Sequence, residues 1–186
     1  MFIYSSNCIY QPLELILQGM ENTLQKVQLL NKVKKDLELQ GFEILLIDFQ
    51  RPWGGFFVIS EDQVLKFSDT YFSGIAVDQL KISGKLSPKI LVVAPQTRLS
   101  WQYHHRRAEI WQVISGTVGV ISSFTDQEAE LKRYNPGDQI VLKQGERHRL
   151  VGLEDWGVIA ELWQHTDASN PSDESDIVRV QDDFGR

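Results

Sequence analysis

A single cysteine, Cys8, stands among 186 residues, so no disulfide can close within the chain and no Cys-x-x-Cys redox pair or cysteine-built zinc ribbon is available. No apolar run approaches the roughly 20 residues that a bilayer-spanning helix needs. The N-terminus also lacks a basic segment followed by an apolar run and a small-residue cleavage site. The expectation is an unsecreted, cytoplasmic protein with no membrane partner. Positive charge is scarce too: 19 Lys and Arg against 25 Asp and Glu give a net charge of -6. Acidic residues crowd the C-terminal part (Asp167, Asp173, Glu174, Asp176, Asp182, Asp183), which argues against a nucleic-acid partner. Any anionic ligand must then find a local basic site. Internal repeats and low-complexity stretches are missing as well. What is present is 42% apolar residues, enough at this length to bury one core in one domain.

After Pro12, apolar residues recur at Leu13, Leu17, Met20, Leu24, Val27, Leu30, Val33 and Leu37, three or four apart, with Gly41 as a C-cap. This predicts an amphipathic helix, with Gly19 as a point of interruption, packed on the main domain or on a second subunit. Beyond Gly41 the texture changes to short Val-, Ile-, Phe- and Trp-rich runs punctuated by Gly, Pro, Asn and Asp, as in an all-β fold. Strands are expected at 43–49, 55–59, 89–94, 99–104, 109–115, 117–122, 130–134, 138–142, 147–151 and 157–163. Residues 61–67 carry a helical pattern and lead into a loop with Tyr71, Phe72 and Gly74 that would lie over a barrel mouth. The polar stretch from His165 to Ser175 reads as a surface loop. The division is an N-terminal helical extension, 1–45, and a β domain, 46–186.

The chemistry concentrates between Leu99 and Gly116. Gln102 and His104 are two apart on an expected strand and so project from one face. Glu109 joins them if the chain turns at His105–Arg107, and His148 follows the turn Asn135-Pro136-Gly137-Asp138. Imidazole nitrogen with carboxylate and amide oxygen is a borderline-to-hard ligand set that suits one divalent transition metal: Zn, Mn, Fe, Co or Ni. His105, beside His104, points to the opposite face and is not expected to ligate. Arg147 and Arg149, flanking His148, should likewise face away from the interior.

Gln-x-His-x4-Glu-x6-Gly followed after about twenty residues by Gly-x7-Gly-x2-His resembles the paired motifs of the cupin superfamily. Arg51-Pro52-Trp53-Gly54, the run from Leu99 to Trp111, His148-Arg149-Leu150 and the ending Asp176-Ile177-Val178-Arg179-x4-Phe184-Gly185-Arg186 resemble, more narrowly, the type II mannose-6-phosphate isomerase domain over residues 50–186. The resemblance implies a double-stranded β-helix of the jelly-roll type and a metal held by Gln102, His104, Glu109 and His148. It also implies interconversion of an aldose phosphate with its ketose phosphate, mannose 6-phosphate and fructose 6-phosphate being the first pair to test. The chain departs from the pattern at Lys143, where cupins carry Pro, at Gly152, where they carry Asn, and in a long insertion between Trp53 and Lys89. Trp101 and Tyr103 are bulkier than the family's aliphatic neighbours of the glutamine.

For this reaction a base must move the C2 proton and cationic groups must hold the phosphate. Glu161, two residues from Trp163 on the last expected strand, is the candidate base. Arg51, Lys89, Arg107 and Arg186 are the candidate phosphate groups, each with a solvent-exposed or structural salt-bridge role as its alternative, and Trp53, Trp111, Trp156 and Trp163 are packing or rim aromatics. A homodimer is the default expectation, because such sheets commonly cover an exposed face or edge with a twin. Two rival readings share the fold: a metal-dependent cupin oxygenase, and a non-catalytic sugar or nucleotide-sugar binding module.

Overall fold

The computed structural model describes residues 13–72, 74–82 and 84–185. Cys8, Pro12 and Arg186, and the side chains of Leu13, Leu17 and Met20, lie outside the described residues. Helix α1 (Leu13–Leu39) leads into β1 (Ile44–Asp48) and β2 (Gly54–Ile59), then a 3-10 turn (Glu61–Gln63), α2 (Val64–Tyr71) and α3 (Val77–Leu80). The barrel continues with β3 (Lys89–Val93), β4 (Trp101–Tyr103), β5 (Arg107–Ser115), β6 (Val118–Ser123) and β7 (Lys132–Tyr134). It closes with β8 (Gln139–Leu142), β9 (Arg147–Gly152), β10 (Gly157–His165) and β11 (Val178–Gln181). All ten expected strands form, and β11 is an eleventh that the sequence reading did not place.

The strands make two facing sheets, ordered β1-β2-β3-β10-β5-β8 and β11-β4-β9-β6-β7, which is the jelly-roll arrangement the motifs implied. Side chains from both inner faces, among them Phe56, Leu91, Trp111, Val113, Val120, Leu150 and Ile159, pack into one core. The outer face of the six-stranded sheet is buried as well. Phe57, Ile90, Val92, Ile110, Ala160 and Leu162 pack there against Leu30 and Leu37 of α1 and Phe67 of α2. Burial on both faces explains why every residue of β3 and β10 is buried, the polar Lys89, Glu161, Gln164 and His165 included, with no alternation. On this face the chain's own helices supply the cover. What stays open is the edge strand β1, with Leu45, Leu46 and Ile47 exposed. No helix among the described residues is long and apolar enough to cross a membrane.

Three expectations need correction. Helix α1 runs through Gly19 without a break; an exposed helical glycine costs only about 1 kcal/mol, too little to interrupt a helix anchored by Leu30 and Leu37, each worth about 1.5–3 kcal/mol on burial. The segment carrying Tyr71 and Phe72 does not lie over the barrel mouth. Phe67 packs edge-on against Phe42, 5.8 Å away, and against Tyr71 at 4.9 Å, and Phe72 is buried in the outer core. These rings hold the insertion against the outside of the sheet. Finally, His165–Ser175 is not simply a surface loop: His165 and Ser172 are buried, and the Ser172 N–H donates to His165 Nδ1 at 3.0 Å. Polar bonds fold this loop over the barrel end, and hydropathy does not register them.

Gly152 has a backbone reason for its departure from the cupin asparagine. A Cβ there would sit 1.8 Å from the carbonyl oxygen of Ala94, because the turn at 94–97 lies directly on this strand and Thr97 accepts the Gly152 N–H at 2.8 Å. No side chain fits.

Candidate metal centre and cavity

Antiparallel pairing sets Gln102 of β4 opposite His148 of β9, and His104, two residues past Gln102, shares its face. The chain then turns and re-enters the other sheet as β5, where Glu109 points inward. The result is a buried cluster in which one ligand atom each from His104, Glu109 and His148 lies within 4.8 Å of the others. The two carboxylate oxygens of Glu109 each face one imidazole: Oε1 is 3.2 Å from His104 Nε2 and Oε2 is 3.3 Å from His148 Nε2. The other ring nitrogens are committed to main-chain carbonyls, His104 Nδ1 to Asp176 and His148 Nδ1 to Glu146 at 2.9 Å. A carbonyl can only accept, so each Nδ1 carries a proton and Nε2 is the nitrogen left to face Glu109; burial would lower the His148 pKa, but the facing carboxylate raises it overall.

Buried His148 Nε2 has no hydrogen-bond partner among the described residues. Leaving such a group unsatisfied costs about 1–3 kcal/mol, and a cation at the point of convergence removes the cost. The donor set therefore fits a divalent metal. Gln102 lies beside the cluster with its amide nitrogen inward: Nε2 faces His104 Nε2 at 3.4 Å while Oε1 accepts from Ser100 Oγ, and the hydroxyl could serve either end of a turned-over amide. His105 is exposed, with its ring edge-on to Tyr103 at 5.2 Å, and takes no part. Arg147 and Arg149 face away from the interior and pair with Asp126 and Glu128, each at 2.8 Å.

Charge in the cluster is finely opposed. Burial alone would raise the Glu109 pKa, but His104, Arg107 and His148 together hold it well below the ordinary carboxylate value. Burial lowers His104 to about 3, against the pull of Glu109. Arg107 comes to the site as expected but not as an open clamp. Its guanidinium donates to Glu109 Oε1 at 2.8 Å, Ser172 Oγ at 2.8 Å, the Asp173 carbonyl at 3.1 Å and His104 Nε2 at 3.0 Å, and it lies 3.6 Å from the Trp163 ring. With those donors engaged, Arg107 positions Glu109 rather than waiting for a phosphate.

A cavity of about 90 Å³ opens beside the cluster, lined by Gln102, Arg107 and Glu109 and also by Arg51, Phe56, Lys89, Glu161, Trp163 and Glu174. Glu161 stands opposite Lys89 on one side and Trp111 on the other. It is buried and accepts from Trp111 Nε1 at 3.0 Å. Desolvation, then the neighbouring Glu109 charge, push its pKa up to about 7, against Lys89 and Arg107. Arg51 reaches the cavity wall paired with Asp48 at 2.8 Å. Arg186 lies outside the described residues.

Trp111, expected as a packing or rim aromatic, links Glu161 to the cluster through its indole N–H, with the ring edge-on to His148 at 5.5 Å; its place two residues after Glu109, on the same strand face, was a usable signal. Asp176 was missed as well. Its carboxylate accepts from the His105 and Arg106 N–H groups at 3.1 and 2.9 Å and from Ser172 Oγ at 2.7 Å, pinning the turn between His104 and Glu109.

His165 gives a pH prediction. Burial, then nearby Lys85, Arg107 and Arg106, lower its pKa from 6.5 to about 4. The unfolded chain therefore takes up a proton near pH 6.5 that the folded chain refuses until about pH 4, and stability falls with pH across that window. One proton corresponds to at most about 1.4 kcal/mol per pH unit. In His165→Asn, whose side-chain oxygen can still accept the Ser172 N–H, urea titrations at pH 7 and pH 5 should differ less than in wild type. Equal differences would show that His165 does not carry the effect.

The family model described as "Mannose-6-phosphate isomerase C-terminal" matches residues 45–182. The alginate biosynthesis protein AlgA of Pseudomonas aeruginosa is 29% identical over 163 residues, 87% of this chain and 28% of that one. The xanthan biosynthesis protein XanB of Xanthomonas campestris is 33% identical over 111 residues, 60% of this chain and 22% of its own. Mannose-1-phosphate guanylyltransferase ManC of Salmonella typhimurium is 30% identical over 109 residues, 59% and 21% of the two chains. This chain thus spans less than a third of the length of each. Among solved structures, a cupin 2 conserved barrel domain protein from Salinispora arenicola is 25% identical with a TM-score of 0.38, covering 45% of this chain and 65% of that one. CapF, a capsular polysaccharide assembling protein from Staphylococcus aureus, is 14% identical with a TM-score of 0.49, covering 75% and 34%. Since the matched stretch takes in the cluster, the cavity and β11, this chain belongs to the mannose-6-phosphate isomerase C-terminal family, on a cupin barrel.

Proposed function

We propose that this chain is a metal-dependent aldose-ketose isomerase acting on a sugar phosphate, with mannose 6-phosphate and fructose 6-phosphate as the first pair to test. The observation that carries the reading is the shared cavity. Glu109 of the His-Glu-His cluster, the buried carboxylate of Glu161 with a pKa near 7 and Lys89 all line one cavity. Membership of the family supports it, as do relatives named for alginate and xanthan biosynthesis and for mannose 1-phosphate chemistry.

A divalent cation on Gln102, His104, Glu109 and His148 would supply Lewis acidity toward the C1 and C2 oxygens of the sugar. Glu161 takes the proton from one carbon and returns it to the other, and Trp111 aims its carboxylate. Lys89 and Arg51 stand on the cavity wall to meet the phosphate, and the Phe56 and Trp163 rings offer flat apolar walls that exclude water. Arg107 keeps Glu109 ionised and oriented.

The test is metal analysis of protein purified without chelator, followed by a sugar-phosphate panel read by NMR in deuterated water. About one transition-metal ion per chain and deuterium entering at C2 during interconversion are the expected results. A metal-loaded protein that binds sugar phosphates without turning any over would overturn the isomerase and leave a binding module. Iron with oxygen uptake would point to an oxygenase.

A further inference from the structure

Three cations on the cavity wall, Arg51, Arg107 and Lys89, differ in how their carboxylate partners are held. Asp48, the partner of Arg51, is also fixed by the Gln50 N–H at 2.9 Å. Glu109, the partner of Arg107, is buried in the metal cluster. Glu174 is another matter. It forms an ion pair with Lys89, yet its side chain is 69% exposed while that of Lys89 is 7% exposed. The lysine is immobilised: it extends from inside the six-stranded sheet, with Nζ 3.6 Å from the Trp163 ring. The glutamate reaches in from solvent, on an arc whose ends, Ser172 and Asp176, are buried and joined by a 2.7 Å hydrogen bond. The arc is pinned, so the part free to move is the Glu174 side chain.

A carboxylate has the charge sign and acceptor oxygens of a phosphate. We propose that Glu174 is a built-in competitor for an anion site at Lys89: its carboxylate occupies the place of the ligand's phosphate and swings into solvent when that phosphate arrives. The proposal rests on the reading of an anionic sugar substrate and adds a selectivity device to it. Neutral sugars gain nothing from Lys89 and leave the pair closed, whereas an anionic ligand replaces one carboxylate with a group of higher charge. An exposed carboxylate makes the exchange inexpensive on its side, because solvent takes it up as it leaves.

The experiment is calorimetric titration of the full chain with inorganic phosphate at low and moderate salt, in wild type, Glu174→Gln, Lys89→Met and the double variant. Glu174→Gln should bind phosphate more tightly, by about two- to fivefold, with the gain lost when Lys89→Met is added and with the affinity for unphosphorylated mannose unchanged. Unaltered or weaker phosphate binding in Glu174→Gln overturns the proposal, as does binding that survives Lys89→Met. Tighter phosphate binding in a protein that isomerises no sugar phosphate would keep the competitor and discard the isomerase.

Discussion

Glu109→Gln should strip the protein of most of its metal and lower isomerase activity by about a hundredfold or more. The carboxylate is the one anionic member of the expected ligand set, and its two oxygens serve both histidines. The amide is isosteric but neutral, and it keeps one acceptor oxygen where the carboxylate has two. Losing electrostatic stabilisation of developing charge commonly costs about 3 kcal/mol, on the order of a hundredfold in rate. Sequence alone suggests that folding would be spared. The structure says otherwise, because Arg107 is buried on Glu109, and removing one partner of a buried pair costs about 3–5 kcal/mol. Retention of one carbonyl acceptor places the variant toward the low end of that range. Bound metal, melting temperature of the metal-free form and rate should therefore all be measured under one metal supplementation. Full activity in a variant shown to be metal-free would end the metal-assisted mechanism.

How much of this was legible beforehand divides along a physical line. Local periodicity and motif spacing placed the strands and brought Gln102, His104, Glu109 and His148 together, since a two-residue repeat fixes which face a side chain takes. Residues whose role depends on a non-local polar contact were not legible. Whether Arg107 clamps a phosphate or makes a structural ion pair stayed open, because nothing in the chain announces that Ser172 and Asp173 meet it some 65 residues later. The mouth was assigned to the wrong segment for the opposite reason. Tyr71 and Phe72 are apolar enough to suggest a lid, but the same apolarity draws them into the outer core with Phe42 and Phe67. The polar stretch 172–176, which hydropathy leaves in solvent, is the one that borders the site. Strand β11 escaped notice for a similar reason: Val178-Arg179-Val180-Gln181 is a short edge strand, with three of its four residues exposed, set in an acidic tail whose composition masks a four-residue alternation.

Glu161→Gln should leave the metal in place and still abolish most of the activity, because this side chain is read as the proton carrier and not as a ligand. Positioned general bases contribute about 10²- to 10⁴-fold, so kcat should fall by that order while bound metal stays close to wild type. The amide still accepts from Trp111 Nε1, so the core should tolerate it. The pH profile separates this role from a structural one. The working form is the ionised carboxylate, so wild-type kcat/KM should rise with pH through the pKa of Glu161. That value is about 7 in the metal-free protein, and a cation in the cluster pulls it lower by favouring the charged form. The acid limb of the metal-loaded enzyme should therefore lie at or below 7, and the residual activity of Glu161→Gln should lack it. Glu161→Asp is the companion variant: it keeps the charge but draws the carboxylate back by one methylene, so it should retain the limb with a reduced rate. An unchanged acid limb in Glu161→Gln, or a variant that loses its metal along with its activity, would assign the proton transfer elsewhere.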